Sequence, residues 1–301
     1  MILLKPSSWP PNYVGSFWMV LAMAAFAVED ALVKASAASL PIGQIMMIFG
    51  SGGALMFALV LKSQGKTILC ADMLTRIMVL RAAFEACGRL FFVLAVALGA
   101  LSTATIILQA TPVVVVGSAW LVLGERPSVK NCVALFVGAV GVVVVLGPTI
   151  DGISWTSLLA FFGMLGFAGR DLTSRVAPKS LSIAHLGFLG FLTVAVVGLA
   201  FALWEGRSFQ SMGPDDALYL CAAICFGAVA YAGLMKAMRT GDVSAVAPFR
   251  YFRLVFGILL GVTVFGEQIG FQTLLGAALI AMSGLLLLGN PLAKRITPET
   301  L

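Results

Sequence analysis

The stretch 26-FAVEDALVKASAASLPI-42 returns, 141 residues later, as 167-FAGRDLTSRVAPKSLSI-183. Phe26, Ala27, Asp30, Ser39, Leu40 and Ile42 recur at the same spacing, and Lys34 is matched by Arg175. Further along, 121-LVLGE-125 is matched by 263-TVFGE-267, so that Gly124 and Glu125 recur as Gly266 and Glu267 at an offset of 142. The halves also end alike, with 145-VLGP-148 against 287-LLGN-290. The identities are few but they keep their order. The chain therefore reads as two related halves, 1–150 and 151–301, that form one unit.

Composition says where such a unit lives. Of 301 residues, 60% are hydrophobic and 11% charged, and the mean hydropathy is +1.05. A soluble domain is nearer ~45–50% apolar and ~25% charged. A soluble fold of this size could not hide so much apolar surface, which predicts an integral membrane protein. The opening 1-MILLKPSSWPPNYVG-15 has an apolar run of four residues followed by prolines, so it does not read as a signal peptide. The first hydrophobic segment is expected to remain as a span.

A helix needs roughly 20 apolar residues to cross the hydrocarbon. Spans are expected near 14–35, 41–62, 73–97, 101–123, 129–148, 154–177, 182–205, 215–238, 243–265 and 271–289. The apolar runs are too long for barrel strands of ~10 residues and do not alternate. The fold class is all-α, with ten transmembrane helices. Placing the N-terminus inside puts Lys5, Lys62, Lys66, Arg76, Arg126, Lys130, Arg175, Lys179, Lys236, Arg239, Lys294 and Arg295 on the cytoplasmic side. Only Lys34 and Arg207 fall outside. That asymmetry orients the chain with both termini cytoplasmic. Compact loops and the absence of a targeting segment fit a bacterial inner membrane.

Five helices per half is an odd number, so the second half enters the membrane inverted. Inverted repeats are a transporter architecture, in which two halves rock about a site near the midplane. Ten spans, two five-helix repeats, and Gly124-Glu125 and Gly266-Glu267 after the fourth and ninth spans resemble the drug/metabolite transporter superfamily, EamA-like branch. The resemblance covers nearly the whole chain. It implies a secondary transporter whose central cavity is lined mainly by helices three, four, eight and nine and flanked by one and six. Glu125 and Glu267 also read simply as helix-terminus residues, with Gly ending one helix and Glu near the start of the next, where an acid complements the helix dipole.

Nine ionisable groups lie at membrane depth. They are Arg81, Arg89, Arg170, Arg250 and Arg253, with Glu29, Asp30, Glu85 and Asp171. A central arginine costs about 2.5–3.5 kcal/mol on insertion scales, so these groups must pair, face the interior or line water. Arg81, Glu85 and Arg89 recur every four residues and form one stripe on the third helix. Asp30 and Lys34, and their counterparts Asp171 and Arg175, are also spaced for i,i+4 pairs. Arg170 and Asp171 are neighbours, about 100° apart, and cannot face one partner together. Arg250 and Arg253, in 249-FRYFRLVFG-257, have no acid within four residues on their helix. Glu85 and Asp171 are the nearest compensating acids by depth.

A guanidinium fork matches carboxylate or phosphate and stays charged in a dry site. The expected substrate is thus a small organic anion held by Arg250 and Arg253, with Arg81 or Arg89 assisting. Both arginines locked into interhelical bridges is the structural alternative. Glu85, Tyr251, Tyr231, Gln109 and Thr111 are candidates to orient the rest of a substrate, and Phe91, Phe92, Phe249 and Phe252 to wall it. Asp30, Glu29, Asp171 and Arg170 are the candidates for proton or ion coupling; exchange of one metabolite for another needs no proton. A zwitterion, using one arginine for its carboxylate and Glu85 or Asp30 for its amine, is the competing substrate class, as in an exporter of neutral amino acids or drugs.

An enzyme is not expected. There is no H-E-x-x-H, no G-x-S-x-G and no zinc cluster, and His185 is the sole histidine. Cys70, Cys87, Cys132, Cys221 and Cys225 form no C-x-x-C pair and read as apolar fillers. Neither a metal nor a cofactor is expected. The partners are a small-molecule substrate, the lipid bilayer, and a coupled proton or exchanged metabolite; a homodimer is a further option, and no nucleic acid is expected. Gly257 and Gly261, and the glycines of 163-GMLGFAG-169, are expected at close helix crossings.

Overall fold

A computed structural model describes residues 11–111, 114, 129–146, 154–175, 177–178, 180–240 and 247–288. Among these residues there is no strand. The described residues form ten α-helices: α1 Pro11–Ser36, α2 Ile42–Ser63, α3 Arg76–Leu98, α4 Leu101–Leu108, α5 Val129–Leu146, α6 Trp155–Arg175, α7 Ile183–Glu205, α8 Pro214–Thr240, α9 Phe252–Phe265 and α10 Phe271–Leu288. Four described stretches are long and apolar enough to cross a membrane: Tyr13–Ser36, Ile42–Ser63, Ile183–Glu205 and Pro214–Ala237. The apolar helices Phe136–Val145 and Phe271–Ser283 are shorter. Helix α3 is 23 residues long but carries Arg81, Glu85 and Arg89, and α6, at 21 residues, carries Arg170 and Asp171. The charges concentrate on α3 and α6, while α1, one of the four apolar stretches, adds Glu29 and Asp30.

The ninth segment is expected over 243–265, and residues 243–246 lie outside the described ones. Within the described part, Ala247–Tyr251 forms a 3₁₀ turn and the α-helix runs over Phe252–Phe265. Pro248 supplies no backbone N–H and so suits this irregular start. Gly266 then ends α9 with φ 62°, a left-handed conformation that glycine adopts without a Cβ penalty. His185 belongs to the scaffold. Its Nδ1 accepts the Ser182 N–H at 3.1 Å, closing a capping box on α7, and its Nε2 meets the Thr67 carbonyl at 2.9 Å.

The helices pair across the halves. α1 lies on α8, α2 on α7, α3 on α6, α4 on α9 and α5 on α10. The α3–α6 crossing is close because glycine meets glycine: a Cβ at Gly166 would lie 2.4 Å from Gly88 Cα. On α9, a Cβ at Gly257 would lie 2.6 Å from Thr105 Cγ2 of α4. Both runs of glycine do serve packing. Gly166→Ala is expected to force α3 and α6 apart and cost about 1–3 kcal/mol. A lower thermal unfolding midpoint in detergent checks this; an unchanged midpoint would show that the crossing relaxes freely.

Candidate functional site

Each of the five arginines expected at membrane depth finds an acid, but mostly on a different helix. Arg81 of α3 sits 3.5 Å from Glu85 Oε2, four residues along the same helix. Its Nε donates to Ser174 Oγ at 2.9 Å, and its Nη2 donates to the Tyr231 hydroxyl. Glu85 Oε1 is 3.3 Å from Arg170 Nη1 of α6. Arg170 donates through Nε and Nη2 to Asp171 Oδ1, at 3.0 and 2.9 Å. Asp171 Oδ2 accepts from Arg250 Nη2 at 2.8 Å. The result is one continuous chain, Arg81–Glu85–Arg170–Asp171–Arg250. It holds three guanidiniums and two carboxylates, and therefore carries one surplus positive charge.

The other two arginines form separate pairs. Arg89 donates to Glu29 Oε1, and Arg253 donates to Asp30 Oδ2 at 2.6 Å. Aromatic faces shield these cations. Arg89 lies 4.6 Å from the Phe49 ring centre and Arg170 lies 4.6 Å from that of Phe167. Arg253 lies between Phe26 and Phe92, at 4.7 and 5.5 Å. Such contacts strengthen as water is removed, which suits a guanidinium that must stay charged inside the bundle. The aligned aspartates of the two halves, Asp30 and Asp171, thus receive two arginines that stand only three residues apart. The segment 247–265 is thereby bonded to both α1 and α6.

A cavity of about 70 Å³ lies among these groups. Arg250, Arg253, Arg89, Glu85, Gln109 and Tyr231 line it, as do Glu29, Arg170, Asp171 and Thr111. Three of the sequence candidates do not. Arg81 is fully buried outside the lining, and it contacts Ser174, Tyr231 and Glu85. The Tyr251 hydroxyl is buried away from the cavity, with no hydrogen-bond partner among the described residues. Asp30 holds Arg253 from outside the lining. The expected aromatic walls also differ. Phe91 packs on Phe162 and Phe249 stacks on Phe252, while Phe92 packs on Phe167. Phe26, Phe49, Phe167 and Phe191 line the cavity instead. Phe49 brings in α2 and Phe191 brings in α7, beyond the helices that the family resemblance implied. An apolar residue on an apolar helix gives no local sign of which face it turns inward. Gln109 orients the site by donating Nε2 to the Arg250 carbonyl at 3.1 Å.

Two of the expected i,i+4 pairings are replaced. Asp30 goes to Arg253, and Arg89 leaves Glu85 for Glu29. Lys34, freed from Asp30, reaches Glu267 Oε1 at 3.3 Å, and donates to the Val96 carbonyl at 3.3 Å and to the Gly99 carbonyl. The Arg175 side chain lies outside the described residues. Glu267 does serve a helix terminus, but that of α4 and not of the helix that follows it. Its Oε1 accepts the Leu101 N–H at 2.7 Å, and its Oε2 accepts the Ser102 N–H at 3.0 Å and the Ser102 hydroxyl at 2.5 Å. Ala100, at the cap position, has no side-chain acceptor of its own. Burial pushes the Glu267 carboxyl up, yet the Ser102 and Leu101 donors and the Lys34 charge outweigh it and hold it below the usual glutamate value. Glu125, its counterpart in the first half, lies outside the described residues.

Residues 13–147 and 154–289 each match the EamA-like transporter family. The chain is 28% identical over 296 residues to the riboflavin transporter of Rhizobium johnstonii, which covers 95% of this chain and 94% of that protein. It is 25% identical over 179 residues to the S-adenosylmethionine uptake transporter of Rickettsia conorii, covering 60% of each. A solved crystal structure, 17% identical, superposes with a TM-score of 0.63 over 92% of this chain and 96% of that chain, and so shares its fold. With the same family found in both halves, around a buried polar cavity in an apolar helical bundle, the chain belongs to the EamA-like transporter family and is a membrane transporter, not an enzyme.

Proposed function

We propose that this protein is a secondary transporter of a small organic anion, working by alternating access between two inverted five-helix halves, 1–150 and 151–301, in a bacterial inner membrane with both termini cytoplasmic. The observation that carries the anionic substrate is the surplus positive charge of the Arg81–Glu85–Arg170–Asp171–Arg250 chain. A carboxylate or phosphate arriving at Arg250 would neutralise it. Arg253 and Arg89 add donors to the same lining, and Gln109 and Tyr231 would orient the remainder.

The helix pairing supports the inverted halves. If α1–α5 correspond to α6–α10 in order, exchanging the halves converts the α1–α8 contact into α6–α3. The α2–α7, α4–α9 and α5–α10 contacts each convert into themselves. Every principal pairing therefore survives the exchange. The cavity, at about 70 Å³, holds a few waters, since each needs roughly 10–15 Å³ measured this way. A metabolite pocket is roughly 300 Å³ or more, so the helices must part to admit substrate. Glu29 and Asp171, which face the cavity, are the coupling candidates, with Asp30 and Arg170 as their neighbours.

One feature favours a second reading. Glu29 Oε2 is buried beside the cavity with no hydrogen-bond partner among the described residues, and could accept from an amine. A zwitterion would then place its carboxylate on Arg250 and its amine on Glu29. The named cargoes of the relatives, riboflavin and S-adenosylmethionine, keep a neutral or zwitterionic metabolite in play.

The test is thermal stabilisation of the purified protein against dicarboxylates, keto acids, nucleotides, flavins, amino acids and amines. A ligand at about 100 times its Kd adds about 2.7 kcal/mol. Stabilisation by anions that Arg250→Ala removes is the expected result. Uptake of the stabilising compound into proteoliposomes completes it. Stabilisation by amines or zwitterions alone, lost in Glu29→Gln, would overturn the anionic reading in favour of the second.

A further inference from the structure

On the reading that Arg250 anchors an anion, we propose that Asp171 occupies the place of the substrate's anionic group, and that substrate binds by exchanging with it. The asymmetry of the ion pairs singles out this contact. Arg250 is the most accessible of the five guanidiniums at membrane depth, with 16% of its side chain exposed against 1–11% for the others. It meets Asp171 through one nitrogen, Nη2. Asp171 is held independently by two bonds from Arg170, Nε and Nη2, both on the other carboxylate oxygen. Releasing Arg250 therefore leaves Asp171 still paired.

The other arginines lack this freedom. Arg253 is covered by Phe26 and Phe92, and pulling it away would strip Asp30 of the only arginine bonded to it among the described residues. Arg89 stands in the same relation to Glu29. An incoming carboxylate or phosphate can thus take Arg250 from Asp171 without creating a bare charge, whereas displacing either of the other pairs would create one. The exchange also sets the substrate's charge. With Asp171 ionised the chain carries one positive charge and matches a monoanion; without that carboxylate it carries two and matches a dianion.

There is a mechanical consequence. The Arg250–Asp171 bond ties the 3₁₀ turn Ala247–Tyr251 to α6, while Arg253–Asp30 ties the start of α9 to α1. Substrate binding cuts the first tie and leaves the second. The site then differs between its empty and loaded states in whether α6 is held to the ninth segment, the differential contact that any ligand-driven shift of conformation requires.

The experiment measures binding of acetate and sulfate to the purified full-length protein by thermal shift and calorimetry. Wild type, Asp171→Asn and Arg250→Ala are compared. Asp171→Asn is expected to bind sulfate about tenfold more tightly than wild type and to shift preference from acetate towards sulfate, because the competing carboxylate is gone. Glu85→Gln removes a carboxylate of the same chain that does not bond Arg250 and is expected to gain less; an equal gain would reflect a general loss of negative charge and overturn the exchange. Arg250→Ala is expected to lose both anions. Should Asp171→Asn fail to fold, Asp171→Ser serves, as it also removes the charge. If Arg250→Ala loses binding while neither Asp171 variant binds sulfate more tightly than wild type, the anchor stands and the exchange is overturned. If Arg250→Ala binds as wild type does, the anchor falls, and the exchange with it. Silence of wild type and both Asp171 variants towards both anions overturns the exchange as well.

Discussion

Arg253→Ala is expected to destabilise the protein by about 3–5 kcal/mol, the cost of breaking one partner out of a buried ion pair. The substitution leaves the Asp30 carboxylate, 3% exposed, without the guanidinium that bonds it at 2.6 Å. It also empties the space between the Phe26 and Phe92 rings, where the cation now sits. Two penalties coincide, an uncompensated charge and a cavity. The double variant Arg253→Met with Asp30→Asn removes both charges and refills most of the volume, so it should recover much of the loss. Thermal unfolding in detergent of the two single variants and the double completes the cycle. Additive losses would show that the pair is uncoupled and the account wrong. Arg253→Lys should fall between, since an ammonium keeps the charge but loses the flat face that stacks on both rings.

Glu267→Ala should cost about 2–3 kcal/mol by freeing the first turn of α4. One carboxylate accepts the backbone N–H groups of Leu101 and Ser102 and the Ser102 hydroxyl, and it is the counter-ion of Lys34. Alanine removes this acceptor from both N–H groups and the hydroxyl at once, and leaves Lys34 with the Val96 and Gly99 carbonyls. Because Lys34 belongs to α1 and Glu267 follows α9, the contact also joins the two halves at the corner between α3 and α4. Its pH dependence has a definite sign. The folded-state carboxyl is held below the usual glutamate value, so it binds its proton less readily folded than unfolded. Its stabilisation is complete above the ordinary value and is lost as pH falls through the lowered one. The gap in unfolding midpoint between wild type and Glu267→Gln should therefore be constant near neutrality and shrink in acid. A gap that grows in acid would contradict the assignment.

Much of this was legible along the chain. The apolar segments, the brief turns between them and the nine charges set within them are local properties, and the described helices follow the expected order. Gly266 ending α9 was legible for the same reason, since only glycine takes φ 62° at no cost. The repeat of Phe26 and Asp30 as Phe167 and Asp171 marked in advance the residues that meet Arg253, Arg170 and Arg250. What local spacing could not supply was the choice of partner. Arg81 and Glu85 kept their i,i+4 contact, at 3.5 Å. Asp30, by contrast, found Arg253 from 223 residues away at 2.6 Å, and Arg89 found Glu29 across 60 residues.

The physical reason lies in how side chains approach. Two groups four apart on one helix run alongside each other and meet obliquely. Groups on facing helices can meet head-on, and where water is excluded the closer approach outweighs the nearer sequence. The order of the described helices and the stock of charges were thus determined by the sequence alone. The pairing of those charges, the surplus left on the chain that ends at Arg250, and the phenylalanines that wall the cavity were decided only when the two halves packed together.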